Sequence, residues 1–203
     1  MSRVSADAAA HAVSAAAAAA RDLPSVGGGI AGCLACPELA STRQRVVPGV
    51  FPAGARLLLV GEAPGAQEDA VGTPFVGRGG QLLDTVLDQA GLHRGQVAVA
   101  NVLKCRPPRN RAPAPAEMRR CRGWLDRQVA LADPEVVVTL GGTALTWALG
   151  RGHRLADMRG RAHEWNGRLL VVTYHPSAAL RFGPNGAPMA ALRADLALAR
   201  SLL

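Results

Sequence analysis

The sequence predicts an α/β fold in which helices cover both faces of a parallel sheet. Four short apolar runs, rich in branched residues, alternate along the chain with segments of helical pattern. Strands that are buried on both faces have this composition, and the β-α-β order is typical of parallel pairing. The 203 residues suit one domain with a single core, because they contain neither an internal repeat nor a long linker.

The predicted elements follow one another along the chain. The strands are RLLLVG (56–61), VAVANVL (97–103), EVVVTLG (135–141) and RLLVVTY (168–174). The helices cover 80–91, 114–132, 142–150 and 188–203. Residues 1–24 form a predicted Ala-rich helical extension, which the segment PSVGGGIAG breaks before the first cysteine. Residues 25–203 are predicted to form one catalytic domain.

The charge of the chain narrows the partners that we expect. The net charge is +8, and nearly all cations are arginines because Lys104 is the only lysine. Arginine matches phosphate geometry, so a polyanion is the first expectation, and a basic surface without such a partner is the alternative. No apolar run of about 18 residues predicts a membrane span. Asp7 and His11 interrupt the alanine run that resembles a secretory signal, so we expect a cytoplasmic protein.

Polar residues gather where the predicted strands end, which is where ligands bind in parallel sheets. Four elements stand there: the Glu62 loop, residues 101–111, Gly141–Gly142 and residues 174–181. The first of these, GEAPGAQED, places Glu62, Glu68 and Asp69 in one tight turn of a basic chain. This clustering predicts a functional site at that edge of the sheet.

Four cysteines form a candidate metal site. In a chain expected in a reducing compartment, cysteines favour a metal over disulfides. Cys33 and Cys36 form a C-x2-C pair, whereas Cys105 and Cys121 are dispersed. Four thiolates fit a structural zinc or a [4Fe-4S] cluster, and the dispersed spacing favours the cluster. Two buried thiols beside a chance C-x2-C pair are the remaining alternative.

The stretch KCRPPRNRAPAPAEMRRCR, residues 104–122, surrounds two of the cysteines with cations. A charge run is usually a solvated surface. Prolines, a strand end and candidate metal ligands favour instead a loop that tracks phosphates, with Arg106, Arg109 and Arg111 as candidates.

Taken together, GEAPGAQED, PFVGRGGQLLD, NVLKCRPPRNRAP, HPSAALR and the cysteine spacing resemble the family 4 uracil-DNA glycosylases. These motifs run in order from Cys33 to Arg181, over most of the chain. The resemblance implies a three-layer α/β/α fold with a central four-stranded parallel sheet, a [4Fe-4S] cluster on all four cysteines, and removal of uracil from DNA in base excision repair. The expected protein is a monofunctional, monomeric glycosylase that acts on bacterial nucleoid DNA without an obligate protein partner.

The resemblance also implies how the base is recognised. The nucleotide would be flipped out of the duplex, and Phe75 would stack on the extruded uracil. The Asn101 amide would accept from uracil N3–H and donate to O4, a pairing that cytosine cannot satisfy. His175 would donate a hydrogen bond to O2 as charge develops on the departing base. Core packing for Phe75 and turn capping for Asn101 are the alternatives.

The resemblance also implies roles in this reaction for three residues of the turn that follows the first strand. Glu62 would stabilise the cationic sugar and orient or deprotonate the attacking water. Ala63 stands beside it, where the family 1 enzymes have their catalytic Asp. Glu68 would lie near C5 of uracil, where it could exclude the methyl group of thymine.

A final segment, from Ser177 to Arg181, resembles the loop that enters the minor groove. Leu180 and Arg181 would fill the gap that the flipped base leaves in the duplex. Ser177, Leu180 and Arg181 are therefore predicted to contact DNA, together with the arginines of the basic stretch.

Other functions stay open from sequence. A non-catalytic iron–sulfur DNA-binding protein would need the basic surface and the cluster but not the residues at the strand ends. A superfamily relative could have an altered base specificity or capture DNA covalently, although the covalent branch carries a histidine that CRPPRNRAP lacks. A phosphate-binding P-loop would need a Lys and a Ser or Thr that the glycine-rich turn lacks. A lyase would need an amine, which only Lys104 offers inside the chain.

Overall fold

A computed structural model describes residues 6–203. Over these residues one sheet contains five strands in the spatial order β2-β1-β3-β5-β4. The strands are β1 (Leu57–Gly61), β2 (Val97–Asn101), β3 (Val136–Leu140), β4 (Ala162–Trp165) and β5 (Arg168–Thr173). Strand β1 pairs in parallel with β2 and β3, and β3 pairs in parallel with β5. The four predicted strands therefore form the expected parallel sheet, and the α/β fold class is confirmed.

Helices precede, connect and follow the strands. They are α1 (Ala6–Ala19), α2 (Leu23–Ala31), α3 (Pro37–Thr42), α4 (Ala66–Val71), α5 (Arg78–Gln89), α6 (Pro115–Ala132), α7 (Gly142–Leu149), α8 (Leu155–Met158), α9 (Pro176–Phe182) and α10 (Ala187–Ser201), with 3-10 turns at Arg94–Gln96 and Pro108–Asn110. Helices α5, α6, α7 and α10 correspond to the four predicted helices, with small shifts at their ends. Within residues 6–203, none of the helices combines the length and apolar character that crossing a bilayer requires.

The sheet lies between two apolar layers because its strands are buried on both faces. Leu57 and Leu59 face one side, where they join a cluster with α5 and α10. Leu58 and Val60 face the other side, where they pack with α6 and α7. Alternate strand residues point to opposite faces, so a continuous apolar run supplies both layers. This is the three-layer α/β/α arrangement that the resemblance implied.

The fifth strand, β4, was not predicted from the sequence. It pairs antiparallel with β5 at the edge of the sheet. The connection is Asn166–Gly167, and both residues have positive φ, 48° and 75°. An Asn-Gly pair with this backbone forms the two-residue hairpin turn that matches strand twist. The dipeptide in EWNGRLL was therefore the signal for this hairpin.

The prediction that PSVGGGIAG interrupts helical structure was wrong for most of that segment, because α2 spans it. Asp22 caps the helix by accepting a hydrogen bond from the Ser25 amide at 2.8 Å. Val26 and Ile30 on the same helix are fully buried. Burial of this face and the cap outweigh the low helix propensity of three glycines.

The N-terminal helices form a further layer on the outer face of α6. Val13 and Ala17 of α1 are buried in one cluster with Trp124 of α6. The division into an extension at 1–24 and a domain at 25–203 stays a prediction, and residues 1–5 of that extension lie outside the described residues.

Candidate active site

The carboxyl ends of the strands open into one cleft of about 570 Å³, here called the strand-end cleft. It is enclosed by the loop after β1, the loop before α5, the end of β2 and the start of α9. All six residues predicted to act in catalysis or substrate binding line it: Glu62, Ala63, Glu68, Phe75, Asn101 and His175. Parallel strands bring these residues together, although they are far apart in the chain.

Two glycines allow the walls of this cleft to approach each other closely. A Cβ atom on Gly61 would lie 2.4 Å from Asn101 Oδ1 and 2.5 Å from Phe75 Cζ. A Cβ atom on Gly80 would lie 1.8 Å from the Phe75 carbonyl oxygen. Phe75 itself has a positive φ of 56° and is 7% exposed. The ring and the amide are therefore held against the end of β1 by backbone packing that no larger residue permits.

Asn101 presents an unsatisfied acceptor inside the cleft. The residue is 2% exposed, and its Oδ1 has no hydrogen-bond partner in the described part of the chain. Its main-chain oxygen accepts a hydrogen bond from Lys104 Nζ at 2.9 Å, which anchors the end of β2. A buried acceptor without a partner costs free energy, so this oxygen is placed to accept from a ligand.

His175 is half-buried at the N-cap of α9, and its hydrogen bonds fix its tautomer. The Ser177 main-chain N–H donates to His175 Nδ1 at 3.2 Å, and Ser177 Oγ lies 2.9 Å from the same nitrogen. Since a main-chain N–H can only donate, Nδ1 carries the lone pair and Nε2 carries the proton. Burial lowers the pKa of His175 to about 4, against the opposing charge of Glu68. At neutral pH His175 is thus a neutral donor.

The rings of His175 and Phe75 form two neighbouring walls of the cleft. Their centroids are 5.7 Å apart, with an angle of 34° between the planes. The stacking surface and the hydrogen-bond donor are therefore within reach of one small planar ligand.

Two of the three carboxylates in the turn after β1 are structural. Glu68 accepts hydrogen bonds from the Gly65, Val76 and Gly77 main-chain amides at 3.1, 3.0 and 2.9 Å. It therefore ties the turn to the Phe75 loop. Asp69 is 1% exposed and accepts from the main-chain amides of residues 44 and 45 at 3.0 and 3.3 Å.

Glu62 also lines the cleft, and it differs from Glu68 in its hydrogen bonds. Its Oε2 accepts a hydrogen bond from Thr143 Oγ1, at the start of α7, and Oε1 has no hydrogen-bond partner among residues 6–203. Thr143 was not predicted from the sequence to belong to the site. No local signal could have found it, because it lies 81 residues from Glu62.

The segment predicted to enter DNA lies at the mouth of the cleft. Ser177 and Arg181 line it, and Leu180 on the same helix is 39% exposed. Phe182, the last residue of α9, is 65% exposed and was not identified from the sequence. An exposed aromatic beside Leu180 makes the tip of α9 apolar, as insertion between bases would require.

The basic stretch is less available for phosphates than its composition indicates. Lys104 is 1% exposed and points inward, so it cannot reach DNA. Arg111 lines the cleft, but its guanidinium binds Glu117 at 2.9 and 2.7 Å. Arg106 donates to Asn110 at 2.7 Å. Arg109 is exposed, with a positive φ of 53°.

The four cysteines line one small cavity between α2, α3 and α6, here called the cysteine cavity. Its other walls are mainly apolar, with three cations among them: Arg43, Lys104 and Arg120. Arg43 Nη1 lies 2.9 Å from Cys105 Sγ. All four thiols are free. Across residues 6–203, no three His, Cys, Asp or Glu side chains form a group that could hold a single metal ion.

Burial dominates the protonation of these thiols. It raises the pKa of Cys36 to about 11, although the charge of Arg120 lowers it. It raises the pKa of Cys121 to about 12, although the charge of Lys104 lowers it. Thiols in this setting stay protonated unless a metal displaces the proton.

The fold and the cleft define a class of protein: a three-layer α/β/α protein whose strand ends bring an aromatic ring, an amide and a neutral imidazole together in one cleft. The model of the Uracil DNA glycosylase superfamily matches residues 48–197. The chain therefore belongs to the uracil DNA glycosylase superfamily.

Individual relatives agree with this assignment. The chain is 42% identical to the Type-4 uracil-DNA glycosylase of Thermotoga maritima, over 73% of this chain and 78% of the relative. It is 41% identical to the Type-4 uracil-DNA glycosylase of Pyrobaculum aerophilum, over 75% of this chain and 81% of the relative. It is 30% identical to the Type-5 uracil-DNA glycosylase of Thermus thermophilus, over 71% of this chain and 82% of the relative. The similarity to these Type-4 relatives is thus the greater.

Proposed function

We propose that this protein is a monofunctional uracil-DNA glycosylase that hydrolyses the N-glycosidic bond of uracil in DNA and leaves an abasic site, the first step of base excision repair. The observation that carries the proposal is the buried, unpartnered Oδ1 of Asn101 beside the neutral ring of His175. A non-catalytic iron–sulfur DNA-binding protein would have no use for this pair of groups.

Base recognition follows from the inventory of donors and acceptors. An extruded uracil would stack on Phe75, which lines the cleft next to His175. Asn101 Oδ1 would accept from N3–H, and its amide nitrogen would donate to O4. Cytosine presents an acceptor at N3 and a donor at C4, so it would leave both Asn101 groups unpaired. The exclusion of thymine by Glu68 stays a prediction. Hydrogen bonds from three main-chain amides hold the Glu68 carboxylate in place.

The chemistry needs charge stabilisation on both sides of the bond that breaks. As C1′–N1 cleaves, its electron pair moves to the base, and His175 Nε2–H would donate to O2 where that charge develops. Glu62 would stabilise the positive sugar and orient the water whose oxygen bonds to C1′, and the proton that this water loses would neutralise the departing uracil anion. Thr143 holds one oxygen of Glu62, so the other is left for the sugar or the water. Ala63 contributes no titratable group.

The cysteine cavity fits a [4Fe-4S] cluster held by Cys33, Cys36, Cys105 and Cys121. All four thiols line the cavity, and its cations would balance the charge of an anionic cluster. The dispersed spacing of Cys105 and Cys121 favours a cluster, and a structural zinc is the alternative. The cluster would hold the N-terminal layer against α6 and would take no part in bond cleavage.

The metal content tests this assignment directly. The purified protein should contain iron and acid-labile sulfide in equal amounts and show the broad visible absorption of an iron–sulfur cluster. Cys121→Ser should lose both. One zinc per chain without sulfide would instead establish the alternative.

The DNA contacts proposed for Arg106, Arg109, Arg111, Ser177, Leu180 and Arg181 rest on their positions around the cleft and on the resemblance. The cytoplasmic location, the monomeric state and the lack of an obligate protein partner also stay predictions.

Excision from a uracil-containing oligonucleotide tests the proposed function. Wild-type protein should produce abasic sites, and His175→Ala should be slower by about 10²–10³-fold, the usual cost of a lost transition-state donor. Asn101→Ala should lose excision too, whereas His93→Ala, at an exposed site, should keep it. DNA binding without an abasic product would establish a binding protein, and product that stays attached to the protein would establish covalent capture.

A further inference from the structure

A second cleft, of about 810 Å³, begins at Glu62 and extends over α6 and α7. Glu62 lines both this cleft and the strand-end cleft, so the two openings meet at that carboxylate. Four basic side chains line it, here called the basic cleft: Arg119, Arg122, Arg151 and His153. Arg119 and Arg122 belong to the basic stretch of residues 104–122, whereas Arg151 and His153 were not predicted from the sequence to bind DNA.

Among residues 6–203, two of the four basic side chains that line the basic cleft lie close to carboxylates, and the other two do not. Arg122 pairs with Asp126 at 3.0 Å, and Arg119 lies 3.8 Å from Asp7. Arg151 and His153 are exposed and have no hydrogen-bond or ion-pair partner in the part of the chain described. Within the described chain the basic cleft therefore offers Arg151 and His153 as unpaired side chains, and Glu62, which already accepts from Thr143, is the acidic residue that lines it.

The positions of these cations follow from the geometry of α6. Arg119 and Arg122 are three residues apart and share one face of the helix, which is turned to the basic cleft. Arg120 between them lines the cysteine cavity on the opposite side. Arg119 and Arg122 therefore line the basic cleft, whereas Arg120 lines the cysteine cavity.

We propose that the basic cleft binds the sugar-phosphate backbone on one side of the extruded nucleotide. This inference rests on the proposed function. A uracil seated between Phe75 and Asn101 places its sugar at Glu62, and the strand has to continue from that point. The basic cleft starts there and presents the donors that phosphodiesters require. Arg151 has no partner among residues 6–203, whereas Arg106 and Arg111 are already hydrogen-bonded within the protein.

A matched pair of charge removals tests the proposal. Arg151→Gln removes a cation that lines the basic cleft, and Arg154→Gln removes one three residues away that does not line it. Arg151→Gln should weaken binding to a uracil-containing oligonucleotide by roughly fivefold and reduce the slope of log K against log salt by about one phosphate contact. Arg154→Gln should leave affinity and salt slope as in the wild type; equal effects of the two changes would overturn the proposal.

Shortened substrates show whether the contact lies on one side of the uracil. In one series the strand is truncated 5′ of the uracil, and in the other it is truncated 3′. The difference between wild type and Arg151→Gln should vanish in one series and persist in the other. Persistence in both would mean a general charge effect and would overturn the proposed path. Binding is measured without turnover, so it tests the basic cleft independently of excision. A wild-type protein that fails to excise uracil would refute the proposed function, and the binding results would still show whether the basic cleft contacts DNA.

Discussion

The strand-end cleft and the cysteine cavity lie at the two ends of one five-residue segment, yet they are completed in opposite ways. Asn101 ends β2 in the cleft, and Cys105 enters the cavity four residues later. The cleft is formed by the protein alone and leaves polar groups, such as Asn101 Oδ1, open to a ligand. The cavity is largely apolar and is lined by four free cysteines. The difference teaches that the first site presents polar groups for a small ligand, whereas the second brings together the four thiols of the proposed cluster.

Lys104 connects these two regions. Its Nζ donates to the Asn101 carbonyl oxygen at 2.9 Å, while its side chain lines the cysteine cavity. Burial lowers the pKa of Lys104 to about 8, against the opposing effect of Cys121 and Cys105. The single lysine of the chain is thus an internal support, which removes it as an exposed amine for lyase chemistry.

The largest effect in this comparison is expected for Gly61→Ala, which should disturb the strand-end cleft and leave the cysteine cavity intact. Gly61→Ala would place a methyl group 2.4 Å from Asn101 Oδ1 and would displace the amide and the Phe75 ring. A misplacement of about 1 Å at a reacting site costs roughly 100-fold in rate, so excision should fall by about that factor or more. The iron content should be unchanged, because the cysteine cavity does not touch Gly61. Gly95→Ala, where a Cβ atom meets nothing within 4 Å, is the control. Wild-type excision by Gly61→Ala would contradict the close packing.

A smaller effect is expected at Thr143, which supports Glu62 from α7. Thr143→Val removes a hydrogen bond to a charged group, so kcat should fall by about tenfold or more, with little change in KM. Thr143→Ser should restore most of the activity, because it keeps the hydroxyl. Thr146→Val changes the same wall of the basic cleft one turn later and should be neutral. Equal losses for both valine variants would mean a packing effect instead of positioning.

The sequence predicted the strand-end cleft better than its surroundings because the ends of parallel strands converge by topology. Glu62, Asn101 and His175 each follow a strand, so strand order alone brings them together. The bond from Thr143 to Glu62 depends on how α7 packs and has no local signature. The structural roles of Glu68 and Asp69 likewise could not be predicted from the sequence. Glu68 accepts from main-chain amides of the Phe75 loop, and Asp69 accepts from those of residues 44 and 45.

The fold shows the same difference between features that the local sequence predicts and features that depend on packing. The four parallel strands were predicted from buried apolar runs. Strand β4 is half-exposed and lacks such a run, and only its Asn166–Gly167 turn marked it. Helix α2 was missed because glycine propensity is a local quantity, whereas its stability comes from Asp22 and from burial against α6.

The pH dependence of stability should reveal the buried imidazole of the cleft. The pKa of His175 is about 4 in the folded protein and near 6.5 when unfolded. Below pH 6.5 the unfolded chain takes up a proton that the folded chain refuses, so stability falls as the pH drops towards 4 and is constant above 6.5. Between pH 7 and 5 the wild type should lose about 2 kcal/mol more than His175→Gln in the free energy of unfolding. Urea unfolding at the two pH values measures this, and His93→Gln should behave as the wild type.

The smallest effect belongs to the N-terminal layer, where adjacent glycines of α2 should respond in opposite directions. A Cβ atom on Gly28 meets nothing within 4 Å, so Gly28→Ala should stabilise the protein by about 0.5 kcal/mol through helix propensity. A Cβ atom on Gly29 lies 2.7 Å from the Trp124 ring, so Gly29→Ala should lower stability by forcing α2 away from α6. Urea unfolding measures both changes. Gly28→Ala should leave the excision rate unaltered, because this layer supports the cysteine cavity and contributes nothing to the strand-end cleft. A gain in stability for both variants would mean that α2 does not pack against Trp124.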